Sequence, residues 1–290
     1  MLVEAAIGAI RVWWEVLFPA LVPFLIIAEV WQALGIVRWL SALLAPLMRP
    51  LFRLPGESGF VLAVGFASGY PVAARLTTQL LAAGTLTRAQ AERLIGCATT
   101  ADPMFIATAI AVGLLQRPAT AGLLLFAHYV PALAIALAGR WTTRPLPPQP
   151  TNPISSYSNA TPFHHTLLHA IEQALTLVLV IGGFVVGFAV LLAALPLEHL
   201  PSPAFGAALS GVLEVTLGVQ ALAALSGGIP DTTLLAALSA MLAWGGLSVH
   251  LQVAGLTSGS GLRYTPFLLS RLVHAGLSAL CIELGRMWLH

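Results

Sequence analysis

The sequence predicts an all-α polytopic membrane protein built from two inverted-topology repeats, each with a re-entrant helical hairpin and a broken transmembrane helix. Three observations carry that expectation. Hydrophobic residues fill 58% of the 290 positions and charged residues only 8%, where a soluble domain carries roughly 25% charged. Several apolar stretches reach the roughly 20 residues needed to cross a hydrocarbon core. A Pro-rich segment near the middle separates two halves whose elements follow one order.

Each half opens on a spanning helix, 13–34 or 167–195. An apolar stretch interrupted by small residues follows, 58–83 or 204–227, and then a second one, 88–115 or 232–256. A spanning helix closes the half, 118–139 or 264–286. The opening segment lacks the charged start and small-residue cleavage site of a signal peptide and is expected to be retained. Ser68-Gly69 is matched by Ser210-Gly211 at an offset of 142, and His128 by His274 at 146. Interrupted hydrophobic segments at equivalent places in two repeats point to a transporter with a midplane site.

From Arg140 to His165, six prolines with Ser, Thr and Asn rule out a spanning helix, so this is a solvated connection. The chain therefore divides into a first membrane repeat, 1–139, a linker, 140–166, and a second repeat, 167–290. Residues 38–53 hold Pro46, Pro50 and three arginines around an uncharged run too short to span. An interfacial helix with snorkelling arginines is expected there.

That choice fixes a topology. If each first interrupted stretch returns to its own side and each second one crosses, each half crosses three times and the halves are inverted. Arg38, Arg49, Arg53, Arg88, Arg93, Arg140, Arg144 and Arg263 then share one face, and Arg11, Arg117 and Arg286 the other. Eight against three makes the first face cytoplasmic. The linker is then cytoplasmic and both termini outside.

Broken helices survive in hydrocarbon only where they line protein or water, because exposed backbone groups cost several kcal/mol each. Four breaks therefore call for a shared polar interior. The first is Ser68-Gly69-Tyr70-Pro71, where glycine permits a reversal and proline suits the start of a half-helix. The second is Thr99-Thr100-Ala101-Asp102-Pro103, read as an N-cap followed by a helix start. The third, Ser210-Gly211-Val212-Leu213-Glu214, puts a carboxylate at a hairpin tip. The fourth, Gly245-Gly246-Leu247-Ser248, has Ser248 as a cap and presents Gln252 one turn later.

Bland readings stand beside these. Gly-Ser pairs also allow close helix packing, and Asp102 can serve as a cap alone. Glu214 is harder to dismiss, since a carboxylate deep in the bilayer costs about 2.5–3.5 kcal/mol on insertion scales. His128 and His274 read as helix-packing residues. Arg75 either neutralises an anion or snorkels outward. Cys97 and Cys281 read as buried free thiols.

Residues 65–113 (GFASGYPVAARLTTQLLAAGTLTRAQAERLIGCATTADPMFIATAIAVG) resemble the sporulation integral membrane proteins of the YlbJ type, also called SpoVV. Ser68-Gly69-Tyr70-Pro71 fits that family's hairpin tip, and Val72-Ala73-Ala74-Arg75 fits with Ala for Gly and Arg for Lys. Ala101-Asp102-Pro103-Met104-Phe105-Ile106 departs from the family's usual Ser-Gly-Pro by carrying Asp102. Phe18-Pro19-Ala20-Leu21-Val22-Pro23-Phe24 resembles the family's opening helix. The family belongs to the GATE-domain group, which resembles concentrative nucleoside transporters in its inverted hairpin architecture. The resemblance implies transport of dipicolinic acid across a membrane surrounding the developing spore, with substrate between two tips and two broken helices.

The expected substrate-binding residues are Ser68, Gly69, Tyr70, Pro71, Arg75, Thr99, Thr100, Asp102, Ser210, Gly211, Glu214, Gly246, Ser248 and Gln252. Half-helix N-termini near Pro71 and Pro103 suit carboxylates, while Asp102 and Glu214 would repel a dianion unless protonated or balanced by a cation. Sodium or proton coupling is therefore expected, with no cofactor and no metal. The expected partners are the anionic substrate and the lipid bilayer, with homo-oligomers left open. A net charge of +2 gives no reason to expect a nucleic acid. No nucleophile–base pair, metal-ligand spacing or phosphate loop suggests an enzyme. The alternatives are a sporulation assembly or maturation factor that transports nothing and, further off, nucleoside or metal-ion translocation.

Overall fold

The computed structural model describes residues 1–34, 36–142, 163–195 and 200–289, which are helical throughout with no strand. Most of the linker, with Arg144, falls outside them, as do the side chains of Arg38 and Arg286. Helix α1 (Leu2–Val12) runs through a π-helical turn, Trp13–Leu17, into α2 (Phe18–Ala33). The opening helix thus starts earlier than its apolar stretch, because residues 2–12 hold good helix formers and no proline. Helix α3 (Ile36–Leu47) and a π-helical turn, Met48–Phe52, follow. Arg53 ends that turn in the left-handed region, at φ 50°.

Next come α4 (Ser58–Ser68), α5 (Tyr70–Ala82) and α6 (Arg88–Ala98), a π-helical segment, Phe105–Leu114, and α7 (Ala121–Ala138). Helix α6 opens on a capping box: Gln90 N–H donates to Thr87 Oγ1 at 3.4 Å, and Thr87 N–H donates to Gln90 Oε1 at 2.8 Å. The remaining described helices are α8 (Phe163–Ala194), α9 (Pro203–Leu213), α10 (Val215–Ala223), α11 (Asp231–Trp244), α12 (Gly246–Thr257) and α13 (Tyr264–Leu289).

Among the described residues, five helical runs are long and apolar enough to cross a membrane: Leu2–Trp31, Pro118–Thr142, His164–Ala194, Asp231–Thr257 and Tyr264–Gly285. The most apolar part of Asp231–Thr257 is far more buried than that of the other four, so it lies at the centre of the arrangement. Helix α13 shows the membrane pattern most plainly. Phe267, Arg271, His274, Ser278 and Ile282 point inward and are buried, while Leu269, Leu272, Val273, Leu280 and Leu284 are about half exposed. A water-soluble helix would place its leucines inward and its arginine outward. This one suits a solvent of hydrocarbon.

The inward face of α13 packs on α11, α7 and α6, while α2 packs on α8 and α5 on α12. Two hairpins and two helix breaks are held at the centre of this arrangement.

Candidate functional site

Helices α4 and α5 meet at Gly69, whose φ of 86° and ψ of −177° define a conformation essentially reserved for glycine. Pro71 lies in the first turn of α5, where its missing N–H costs nothing. A Cβ on Gly65 would come 2.8 Å from Ala73 Cβ, a contact available only because the chain reverses between them. Helix α6 stops at Ala98, four residues run without helical structure, and helix resumes at Pro103. Asp102 caps it: Phe105 N–H donates to Asp102 Oδ1 at 2.8 Å.

The second half repeats this arrangement with different residues. Helices α9 and α10 meet at Glu214, which lies in extended backbone and caps α10, Leu217 N–H donating to its Oε2 at 2.8 Å. Gly218 packs directly on Gly211, as Ala73 does on Gly65. Helices α11 and α12 meet at Gly245, φ 84°, a left-handed position that stops the first helix.

One cavity of about 60 Å³ collects these features. Ser68, Gly69, Tyr70, Pro71, Asp102, Glu214, Thr216, Ser248 and Gln252 supply its polar and tip atoms. Leu17, Leu21 and Leu25 from the opening helix, with Leu177, Ile181 and Phe184 from α8, wall it with hydrocarbon. A Cβ on Gly69 would sit 3.4 Å from Asp102 Oδ2, and one on Gly246 3.1 Å from Glu214 Cα. In each half, therefore, the hairpin tip touches the break. Tyr70 joins the halves by donating its hydroxyl to Leu242 O, near the end of α11. Both carboxylates are on the cavity wall, and no basic side chain is.

The positive charge lies behind that wall. Arg271 is completely buried and donates to Gly96 O, Thr99 O and Ala243 O. Those carbonyls belong to the C-terminal ends of α6 and α11, where helix dipoles and unpaired carbonyls favour a cation. One guanidinium thus caps both half-helices. Around it, Ala101 N–H donates to His128 Nε2 at 3.0 Å, and His274 Nε2 lies 2.7 Å from His128 O. The histidines bond to backbone, as helix-packing residues do. Tyr129 donates its hydroxyl to Phe66 O and Ala101 O, tying the first tip to the second break.

A second cavity, of about 450 Å³, shares Pro71, Leu177, Phe184 and Gln252 with the first. Arg75 lies there, donating to Glu29 Oε1 at 2.6 Å and Gln173 Oε1 at 3.1 Å. It is thus held in an antechamber instead of facing the tips or snorkelling free.

Other expected residues are also placed elsewhere. Ser210 turns its hydroxyl back to Gly206 O at 2.9 Å, and Gly211 is occupied by Gly218 and Met241. Both lie one turn inside α9, because the tip itself is Glu214, 145 positions after Gly69. The Ser-Gly pair thus marks the turn in the first hairpin but not in the second. Thr99 and Thr100 are completely buried with unpartnered hydroxyls, away from the cavity wall. Gly246 touches the Glu214 backbone without lining the cavity. Ser248 does not cap α12, which starts at Gly246 with no side-chain cap; it lines the cavity wall with Glu214 instead. Both cysteines are free thiols, but only Cys97 is fully buried.

Sequence reading left Thr216 and Phe105 out of the site and did not give Arg271 a role. For Arg271 the signal was present: a lone arginine inside an apolar span marks a functional position by default.

The Gate family, described as nucleoside recognition, matches residues 14–138. The chain is also 35% identical to the sporulation integral membrane protein YlbJ of Bacillus subtilis (strain 168), over 97% of this chain and 76% of that relative. Such similarity covers both hairpins, both breaks and Arg271, so this chain belongs to the YlbJ family of sporulation integral membrane proteins.

Proposed function

We propose that this chain transports a small organic anion, dipicolinic acid, across a membrane surrounding the developing spore. The carrying observation is the meeting of two tips and two breaks at one cavity with two carboxylates on its wall, Glu214 buried and Asp102 half-buried. Keeping such groups in a membrane interior is costly unless function needs them. Ser68 adds a buried, unpartnered hydroxyl on the wall.

In this reading α4–α5 and α9–α10 are re-entrant hairpins entering from opposite faces, and the two halves are inverted repeats. The arginine asymmetry makes the linker cytoplasmic and both termini outside, with α3 in the interface. Trp39, Leu43 and Leu47, exposed along one face of α3, suit contact with lipid. The central cavity holds only a few waters, so loading requires the tips to part. The antechamber, already of ligand size, is the approach, and Arg75 is the first cation an anion meets. Asp102 and Glu214 must then be protonated or balanced by sodium, which couples transport to an ion gradient.

A second reading, an assembly or maturation factor that moves nothing, draws on one observation. Glu214 already accepts from Leu217 N–H, with Thr216 and Ser248 beside it on the wall of a cavity of only about 60 Å³. Proteoliposome uptake decides between the two. Labelled dipicolinate should accumulate under a proton or sodium gradient, with nucleosides as the comparison. No accumulation of either under either gradient would favour the non-transporting reading. Orientation is tested by a single cysteine at Ser156, which should be labelled only from the cytoplasmic side.

A further inference from the structure

A third cavity, of about 320 Å³, lies between α6, α7 and α13, away from the tips. Its lower wall is hydrocarbon: Leu54, Ile135, Ala136, Leu269 and Val273. Leu269 and Val273 are each more than half exposed, so the cavity opens sideways, toward lipid. A cation belongs to its lining too. Arg93 lines it, held by a bond from Nη2 to Phe52 O at 2.8 Å. Arg53 reaches across to Arg140 O at 3.1 Å, and Arg140 has a buried Nε with no hydrogen-bond partner. The Arg140 guanidinium lies 5.8 Å from the ring centre of Trp141, which is 75% exposed.

We propose that this is a binding site for an anionic phospholipid, its phosphate among Arg53, Arg93 and Arg140 and an acyl chain in the cavity below. An apolar slot open to hydrocarbon accepts a chain. Arg93 on its wall, with Arg53 and Arg140 on the neighbouring segments, matches a phosphate without a compensating ammonium. A tryptophan beside them marks headgroup depth. A zwitterionic lipid fits the slot but brings its own cation to these arginines. A soluble phosphate fits the arginines but leaves the slot empty.

The test uses the full chain in neutral detergent, with retained lipid counted by native mass spectrometry. Phosphatidylglycerol should be retained well above phosphatidylcholine, and glycerol 3-phosphate should not displace it. Replacing all three arginines with glutamine should weaken phosphatidylglycerol about a hundredfold, at about 1 kcal/mol per charge. Arg140→Gln alone, a gentler change if the triple variant misfolds, should weaken it about fivefold. Ala138→Trp keeps every charge but fills the slot, and should also lose the lipid. Equal retention of the two phospholipids would overturn the proposal, as would unchanged retention in both Arg140→Gln and Ala138→Trp. Displacement by glycerol 3-phosphate would replace the lipid with a soluble phosphate.

Discussion

The two halves place the same two devices on opposite elements. In the first half the hairpin tip is a glycine, Gly69, and the broken helix carries the carboxylate, Asp102. In the second the hairpin tip carries the carboxylate, Glu214, and the broken helix turns on a glycine, Gly245. Each half thus supplies one carboxylate that caps a half-helix and one glycine that reverses or stops the chain. The glycine-bearing element packs on the carboxylate-bearing one both times. What the two halves share is the pairing of a cap with a turn. What they exchange is its position, so the two walls of the cavity are chemically unequal.

The third difference is Arg271, whose counterpart by the histidine offset is Leu125. One half supplies the cation for both. Replacing it by methionine should therefore have the largest effect of any change considered, because three carbonyls at two helix ends lose their donor at once. The expected cost is about 3–5 kcal/mol, read as lost yield of folded protein and a lowered unfolding midpoint in detergent. Arg271→Lys should recover part of it. Equal yields for all three proteins would mean that each half closes its own break.

The exchanged carboxylates come next. Glu214→Gln keeps shape and size and removes titration, so the protein should insert and express normally. Accumulation of dipicolinate should fall at least about tenfold, or lose its dependence on pH or sodium. Unchanged accumulation with unchanged ion dependence would move coupling to Asp102, where Asp102→Asn gives the matching test. The glycines follow. Gly69→Ala forces a side chain into a region nearly closed to it, costing about 1–3 kcal/mol. Gly245→Ala enters the milder left-handed region, at about 1–2 kcal/mol. Midpoints in the reverse order would show that the first tip relaxes more easily than the second break.

Much of this was legible in the residues. Prolines and small residues inside apolar stretches placed all four breaks, and Asp102-Pro103 read correctly as cap and helix start. Register was harder, because Ser-Gly pairs recur wherever helices pack closely, and Ser210-Gly211 proved to be a packing position. Long-range pairing was the least legible. Arg75 meets Glu29 and Gln173 from two other helices, and Arg271 meets carbonyls 172 and 175 positions away. No local pattern encodes such contacts. Only the rule that a buried charge must find partners hinted at them.

The smallest effect is expected where the halves are joined at their edges. Arg117 of the first half meets Asp231 of the second at 2.8 Å, with side chains 38% and 68% exposed. Elsewhere Arg263 meets Glu92 at 2.7 Å, and there the acid is only 4% exposed and also bonds Arg88 at 3.0 Å. An exposed pair gains little over its hydrated ions and is screened by salt. A buried carboxylate that loses its charge leaves two arginines without their shared partner. Arg117→Gln should therefore change the unfolding midpoint by less than about 1 kcal/mol in equivalent stability, and less still at high salt. Glu92→Gln should cost clearly more and keep most of its effect in salt. If the two variants proved equal, the exposed pair would have to be a working tie between the halves. In that case Arg117→Gln should lower dipicolinate accumulation and stability together, which uptake and unfolding measured on one preparation would show.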